Sequence, residues 1–305
     1  MLEKGRKIGD YVLAEKVGHG GFGDVWRAEK HTALSVSSVA LKFFRPKETE
    51  QVDIAEVKRE LEVWQKVSGL PNIISAIEAD FVEDYIYIVS EFAEGGSMQK
   101  WLAANGGKAE SVEQAVSITL EILNGLDHLH RTGFIHRDIK PANILIRKGT
   151  FCLADFGVTR EVKTHSITMH TAGTYQYMPP EAFSKKPIVT PATDIWAVGV
   201  ILQELLTGRL PFPPDEIPSL MYSILNDEPE EMPPDIPKPL HEIVHRALQK
   251  QREDRYSTAQ EMMTALNEAQ TEIFQAEEPQ VEEKPAEEIK EKIKAEEPKP
   301  EIPIV

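Results

Sequence analysis

The chain has 305 residues, of which 41% are hydrophobic and 28% are charged, proportions ordinary for a folded protein with a substantial core. Its 50 acidic and 34 basic residues give a formal net charge of -16. This charge disfavours nucleic acids and anionic membranes as partners, because both bind to basic surfaces.

Up to about residue 90 the sequence predicts a small β-sheet with one helix. Segments rich in β-branched and aromatic residues predict strands at 11–17, 24–29, 38–44 and 85–92. Apolar residues recur at helical spacing from Ile54 to Val67, which predicts a helix over 51–67.

A glycine-rich segment, GHGGFGDV at 18–25, lies between the first two predicted strands. Without a Cβ, Gly18, Gly20 and Gly23 would let backbone N–H groups approach a phosphate closely. A dinucleotide-binding loop of this spacing should open a helix and be followed by an acid about 20 residues later. Here a predicted strand follows and Lys42 stands near that distance, so the dinucleotide interpretation fails. A glycine-rich hairpin without a ligand remains the alternative.

Two charged residues stand at the ends of predicted apolar strands. Lys42 ends VALK at 39–42, where it would lose hydration unless an anion such as Glu60 met it. A solvated charge at a strand edge is the alternative. Asp155, in ADFG at 154–157, follows the predicted strand TFCL. An acid beside a glycine suits a divalent cation, and it is equally common in a plain turn.

The segment HRDIKPANIL at 136–145 places Asp138, Lys140 and Asn143 before an apolar strand. This spacing is poor for one face of a helix, and Pro141 is excluded from an ordinary helix interior. We therefore predict a loop whose polar side chains converge.

From about residue 97 the apolar periodicity is helical and predicts a mostly α second half. The first long helix is predicted to begin after Ser111 and to stop at Gly133. Later helices are predicted at 191–208, 219–227, 240–250 and 258–270. Residues 276–305 are mainly Pro, Glu and Lys with few large apolar groups, which predicts a disordered acidic tail. A charged linker to a partner is the alternative for this segment.

The cysteine content and the apolar runs predict where the protein is located. Cys152 is the single cysteine, so the sequence offers no intrachain disulfide and no zinc site built from cysteines. The N-terminal segment has no apolar core of signal-peptide length. The longest apolar run, Ile195 to Leu202 with one glycine, is far shorter than the ~20 residues that span a bilayer. These features predict a soluble, cytoplasmic protein.

Taken in chain order, these segments resemble the eukaryotic-type Ser/Thr protein kinases, including their bacterial branch. GHGGFGDV is similar to the family's glycine-rich loop, VALK to its strand motif, HRDIKPAN to its catalytic loop and DFG to its metal-binding motif. PPE at 179–181 stands where APE is usual, and Glu181 is expected to pair with Arg255. TPATDIWAVGVILQELLTGRLPF resembles the central helix, with Asp194 in place. The resemblance covers about residues 11–266.

The resemblance implies an α+β, protein-kinase-like bilobal fold with its domain over 11–270. A small N-terminal antiparallel β lobe with one main helix is expected at 11–94, and a larger, mostly α lobe at 95–270. The resemblance also implies ATP and Mg²⁺ as cofactors, with Mn²⁺ as a substitute. The expected partner is a protein substrate that carries Ser or Thr.

The resemblance assigns catalytic and metal-binding roles to four residues of two loops. Asp138 would accept or orient the proton of the substrate hydroxyl, and Lys140 would neutralise charge on the transferred phosphoryl group. Asn143 and Asp155 would hold Mg²⁺.

The nucleotide pocket follows from the same resemblance. Lys42 would hold the α- and β-phosphates and pair with Glu60. Ser90 would be a small gatekeeper with a deep pocket behind the adenine, and His136 and Phe156 would pack behind the catalytic loop. The other residues expected to contact the nucleotide are Val17, Gly18, Gly20, Phe22, Gly23, Val25, Ala40, Glu91, Ala93 and Leu145.

Substrate class and control are implied in the same way. DIKPAN and the segment around Thr174 resemble Ser/Thr-directed kinases. Arg137 precedes the catalytic acid, as in kinases whose activation loop is ordered by phosphorylation. By this resemblance the activation loop is the segment 158–172. Autophosphorylation of this loop is expected at Thr168 first, with Ser166 and Thr171 as the other candidates.

Two other function classes are weighed against an active protein kinase. A pseudokinase or nucleotide-binding scaffold usually lacks the strand lysine, the loop acid or the DFG acid, and it is disfavoured because Lys42, Asp138 and Asp155 are all present. A kinase of small molecules is disfavoured by GTYQYMPPE, which resembles a peptide-docking segment.

Overall fold

A computed structural model of the chain describes residues 2–20, 23–44, 54–83, 85–156, 172–185, 187–213 and 216–275. The chain divides into two compact units, 1–270 and 271–305. Only residues 271–275 of the second unit are described.

Several sequence predictions fall outside the described residues and stay predictions. They concern the glycine-loop residue Phe22, the disorder of the tail 276–305, and the phosphorylation candidates Ser166, Thr168 and Thr171. The side chains of Glu60 and Thr174 are also outside the description, although their backbones belong to described helices.

A six-stranded antiparallel sheet forms the first lobe. Its spatial order is β1-β2-β3-β4-β6-β5. The strands are β1 (Lys7–Ile8), β2 (Tyr11–Gly20), β3 (Gly23–His31), β4 (Val36–Phe44), β5 (Ala76–Val82) and β6 (Tyr85–Glu91). The four predicted strands are confirmed, and sequence analysis missed β1 and β5.

The two faces of this sheet differ because side chains alternate along each strand. One face carries a buried cluster that includes Leu13, Trp26, Leu41 and Phe43. Lys42, from the alternate positions, therefore points to the opposite face. The register of β3 and β4 places Val25 opposite Lys42 and Arg27 opposite Ala40, so Val25 and Ala40 share that opposite face.

Helix α1 (Ile54–Val67) precedes the edge strand β5 and is tied to it. The indole N–H of Trp64 donates to the carbonyl of Ile74. Ser68 Oγ donates to the Trp64 carbonyl at 2.8 Å and accepts from the Ala76 N–H at 2.9 Å. The predicted helix is thus confirmed from Ile54 onward, and its C-terminal end is joined to the sheet.

The second lobe is mainly helical, with one two-stranded sheet. Its helices are α2 (Met98–Ala104), α3 (Val112–Arg131), α4 (Pro191–Thr207), α5 (Ile217–Asn226), α6 (Lys238–Ala247) and α7 (Ala259–Gln275). The antiparallel strands are β7 (Ile144–Arg147) and β8 (Thr150–Leu153). The five predicted helices are confirmed, whereas the short α2 was missed. None of the described helices has the length and apolar character needed to cross a membrane.

Helix α4 lies in the core of this lobe, with nearly all of its side chains buried. An all-round hydrophobic helix is expected in such a position. Gly199 allows α6 to approach, because a Cβ at this position would lie 2.7 Å from the Ala247 Cβ. Trp196 stacks on Phe212 with 5.7 Å between ring centroids. Helix α4 is therefore the framework on which the rest of the lobe packs.

Lys250 connects α5 to this core. Its Nζ donates to the carbonyls of Ile224 at 2.9 Å and Ser223 at 3.3 Å, near the C-terminal end of α5. The same Nζ lies 4.2 Å from the centroid of the Phe212 ring. Burial disfavours the charged amine and lowers the pKa of Lys250 to about 8.

We expect the Lys250 amine, after reductive methylation with a ¹³C label, to titrate by NMR with a midpoint near pH 8. The unfolded chain then binds more protons than the folded chain between pH 8 and 10.5, so this group makes stability rise with pH across that window. Lys250→Arg removes the resonance and assigns it. A midpoint near 10.5 would contradict the buried environment of the amine.

Candidate active site

The loop between α3 and β7 brings together the three polar residues predicted to converge. Lys140 Nζ donates to both carboxylate oxygens of Asp138, each at 2.9 Å. Asn143 Nδ2 donates to Asp138 Oδ2 and to the Asp138 carbonyl, each at 2.8 Å. Pro141 begins a short 3₁₀ helix, Pro141–Asn143, that turns the amide back toward the acid. The proline that excludes an α-helix here therefore shapes the cluster.

Asp194, on α4, holds the backbone of this loop. Its buried carboxylate accepts from the Arg137 N–H at 2.8 Å and from the His136 N–H at 2.9 Å. His130 Nε2, at the end of α3, donates to the same carboxylate at 2.8 Å. Arg137 has a left-handed backbone with φ 66°, which a non-glycine residue adopts only where its surroundings hold it. In the sequence Asp194 is only a landmark of the resemblance, and no motif there points to His130.

His136 joins the loop between α3 and β7 to the segment that carries Asp155. Its buried ring donates from Nε2 to the Ala154 carbonyl at 3.1 Å, and its centroid lies 5.3 Å from that of Phe156. Phe156 in turn lies 5.9 Å from the ring of Trp64 on α1. The packing expected for His136 and Phe156 is observed, and it connects α1 to the loop.

Lys42 and Asp155 form an ion pair between the two lobes. Lys42 Nζ on β4 donates to Asp155 Oδ1. Burial by itself would raise the pKa of Asp155, but the attraction and hydrogen bond of Lys42 lower it below its ordinary value. The Ala154 N–H donates to the Asn143 carbonyl at 2.9 Å, so Asp155 is adjacent to the catalytic loop. The expected pairing of Lys42 with Glu60 stays a prediction.

The chemistry of Asn143 and Asp155 suits a hard divalent cation. The Asn143 amide donates through Nδ2, which leaves its Oδ1 as a ligand, and Asp155 adds carboxylate oxygens. Among the described residues, no cluster of three or more His, Cys, Asp or Glu side chains could hold a metal. Mg²⁺ is nevertheless suited to one or two protein oxygens, because it keeps several waters and binds substrate phosphates. These two residues therefore fit the expected metal.

The glycine-rich segment has a structural requirement that sequence analysis did not identify. Gly23 has φ 138°, and a Cβ there would lie 1.7 Å from the Phe43 carbonyl oxygen. At Gly18, by contrast, a Cβ would make only an ordinary contact, 3.5 Å from the side chain of Val25. Gly23 is therefore fixed by the approach of β4, whatever this segment binds.

The strand residues expected at the nucleotide lie around the junction of β4, β6 and β7. The Glu91 N–H donates to the Ser75 carbonyl at 3.0 Å. The Glu91 carboxylate pairs with Arg147 and accepts from the Ser75 N–H at 2.9 Å. Ala93 is buried, and Leu145 on β7 is partly exposed. Sequence analysis missed the side-chain contacts of Glu91, which fix the end of β6.

Ser90→Met is expected to weaken an adenine-site inhibitor with a bulky aromatic substituent by at least about tenfold. Ser90 is buried and is paired with Ala40 on β4 and with Ala76 on β5, so a methionine would fill space beside two small side chains. Calorimetric Kd values for the inhibitor test this, with ATP affinity on both proteins as the control. Equal inhibitor affinity for the two proteins would contradict the predicted deep pocket.

Glu181 and Arg255 form the predicted ion pair. Arg255 donates from Nη1 and Nη2 to the two carboxylate oxygens of Glu181, each at 2.9 Å. The Arg255 side chain is completely buried, and it also donates to the carbonyls of Gln249, Ala192 and Lys250. This pair joins the 3₁₀ helix Pro180–Phe183 to the helical core.

Comparison with known proteins matches residues 11–266 to the family described as protein kinase domain. The probable serine/threonine-protein kinase PknB of Lactococcus lactis is 33% identical over 277 residues, which cover 87% of this chain and 43% of PknB. PrkC of Bacillus subtilis is 33% identical, with 86% and 41% covered, and PknH of Mycobacterium tuberculosis is 33% identical, with 87% and 42% covered. The chain thus spans less than half the length of each of these relatives. By its two-lobed fold, its ordered motifs and this match, the chain belongs to the protein kinase family.

Proposed function

We propose that the chain is an ATP-dependent Ser/Thr protein kinase that transfers the γ-phosphate of ATP to Ser and Thr hydroxyls of proteins. The observation that carries the proposal is the convergence of Asp138, Lys140 and Asn143 beside the Lys42–Asp155 pair. The similarity to relatives named serine/threonine-protein kinases supports it.

The contacts of the catalytic loop suggest how these residues would act. Asp138, held by Lys140 and Asn143, would take the proton of the substrate hydroxyl as its oxygen bonds to the γ-phosphorus and the bond to ADP breaks. Lys140 would stabilise charge on the transferred group and Lys42 charge on the α- and β-phosphates. Mg²⁺ or Mn²⁺, held by Asn143 and Asp155, supplies further neutralisation of phosphate charge when bound.

The remaining predictions about the site and the domain belong to the same proposal. The adenine and phosphates would lie among the strand and loop residues expected from the motifs: Val17, Gly18, Gly20, Phe22, Gly23, Val25, Ala40, Glu91, Ala93 and Leu145. The kinase domain would extend over 11–270, with its lobes at 11–94 and 95–270. The cytoplasmic location stays a prediction from the sequence.

Phosphoamino-acid analysis after incubation with γ-labelled ATP and Mg²⁺ tests the proposed activity. Label on Ser or Thr of the chain or of generic protein substrates is the expected result. Label on Tyr would contradict the proposed acceptor class. ATP binding without transfer to any protein would favour the nucleotide-binding scaffold instead.

Thr168→Ala is expected to lower both the phosphate content of the activation loop and the rate of substrate phosphorylation. A phosphate on Thr168 would pair with arginines such as Arg137 beside the catalytic acid and order the loop. Site mapping by mass spectrometry and steady-state rates measure the two effects, with Thr164→Ala in the same segment as the matched control. Unchanged rate and phosphate content would refute Thr168 as the first site.

A further inference from the structure

Helix α5 presents an unusual outer face to solvent. Ile217, Tyr222 and Leu225 are exposed to 39%, 63% and 43%. With 3.6 residues per turn, these three residues, together with Pro218 and Met221, fall within one arc of about 140°. The outer arc of α5, defined by these five residues, is therefore continuously apolar.

The inner face of the same helix is also apolar. Leu220 and Ile224 are buried against the lobe, and Lys250 binds carbonyls near the C-terminal end. A surface helix normally directs polar side chains to solvent, whereas here they are confined to the narrow strip of Ser219, Ser223 and Asn226. Of the eight large apolar side chains that are exposed among the described residues, three lie on this ten-residue helix. Such clustering is typical of an interaction site.

Carboxylates flank both ends of α5. Exposed Glu216 and Asp227 are the N-cap and C-cap of α5, and Glu228 follows Asp227. Glu230, Glu231 and Asp235 continue the exposed acidic run. Over 209–237 the sequence has seven acids and one basic residue, Arg209. The arc therefore suits a partner that combines apolar side chains with lysine or arginine. A second copy of this chain fits poorly, because its net charge is -16.

A series of contacts connects α5 with the catalytic loop. Helix α5 packs against the 3₁₀ helix Ala172–Tyr177. Tyr177 donates to Glu204 on α4 at 2.8 Å and lines one small cavity together with Asp138. A protein bound on α5 would therefore lie next to the 3₁₀ helix Ala172–Tyr177, which adjoins the proposed catalytic acid.

We propose that the outer arc of α5 is a docking surface for a basic segment with apolar side chains in the protein substrate, remote from the acceptor residue. This inference rests on the proposed kinase function. A segment of this kind would place apolar residues on Tyr222 and Leu225 and its cations near Asp227 and Glu228.

Steady-state kinetics of the double variant Tyr222→Ser, Leu225→Ser test the docking surface. The probes are a lysine-rich histone and a short peptide from it that contains the phosphorylated residue. We expect KM for the histone to rise about tenfold, the equivalent of ~1.4 kcal/mol, with kcat unchanged. Because the peptide is too short to reach α5, its kinetic constants should not change. The matched control is Leu34→Ser, Val36→Ser, which removes two exposed apolar side chains at the β3–β4 turn.

The charges of the docking surface are tested separately by Glu228→Lys. This change should raise KM for the histone and leave the peptide unaffected. Unchanged histone kinetics in both α5 variants, or wild-type preference for acidic casein over the histone, would overturn the docking proposal. Loss of a dimer in the double variant, seen by sedimentation, would overturn it in favour of self-association. Absence of transfer from the wild type to peptide and proteins alike would instead refute the proposed kinase function.

Discussion

Replacing Asp138 with asparagine is expected to lower the rate of phosphoryl transfer by about 10²–10⁴-fold, the usual contribution of a positioned acid or base. The carboxylate accepts hydrogen bonds from Lys140 Nζ on both oxygens and from Asn143 Nδ2 on one. An amide keeps the shape but offers one acceptor oxygen, turns its NH₂ toward a donor, and cannot take the substrate proton. ATP affinity should be nearly unchanged, because Asp138 belongs to the catalytic loop and has no proposed contact with the nucleotide.

Single-turnover rates with saturating ATP measure the chemical step apart from binding and product release. Asp127→Asn is the matched control, because Asp127 lies on α3 and pairs with Arg131 outside the proposed site. A transfer rate equal to that of the wild type would refute the role of Asp138. Equal loss in both variants would indicate general damage to the fold.

The helices and strands with strong periodicity could be predicted from the sequence, and three weaker elements, β1, β5 and α2, could not. Strand β1 has only two residues. Ser111 caps α3 by accepting from the Gln114 N–H at 3.2 Å, and Gly133 has φ 85° just beyond its end, as the sequence signals indicated. Strand β5 was missed because it is an edge strand in which Ile77 and Phe81 are exposed, so that apolar residues do not mark a buried face. Helix α2 has only two buried residues.

The candidate site shows the same division between local and long-range contacts. Asp138, Lys140 and Asn143 lie within six residues of chain, so their convergence in a proline-bent loop could be predicted from spacing. The contacts of Asp194 with the loop and with His130 join residues 57 to 64 positions apart, and spacing carries no signal for such pairs. Sequence resemblance marked Asp194 as a landmark, but only the fold relates its carboxylate to the strained backbone of Arg137.

Glu181→Ala is expected to destabilise the folded chain by about 3–5 kcal/mol, the cost of removing one partner of a buried ion pair. The Arg255 guanidinium is completely buried, so it would keep its backbone carbonyl partners but lose the carboxylate that neutralises it. The midpoint of thermal unfolding should fall by about 6–20 °C for a domain of this size. Glu253→Ala, which removes an exposed carboxylate paired with Arg252, should leave the midpoint of thermal unfolding nearly unchanged and serves as the control.

The double variant Glu181→Ala, Arg255→Met distinguishes an electrostatic cause from lost packing. If the uncompensated charge destabilises Glu181→Ala, removing that charge as well should restore part of the lost stability. If the double variant is instead less stable than Glu181→Ala, because the hydrogen bonds of Arg255 are lost as well, the guanidinium stabilises the fold through its contacts with the carbonyls. In that case the pair stabilises the fold through hydrogen bonds from Arg255 to the backbone between α6 and α7, and Glu181 serves mainly to fix the 3₁₀ helix Pro180–Phe183.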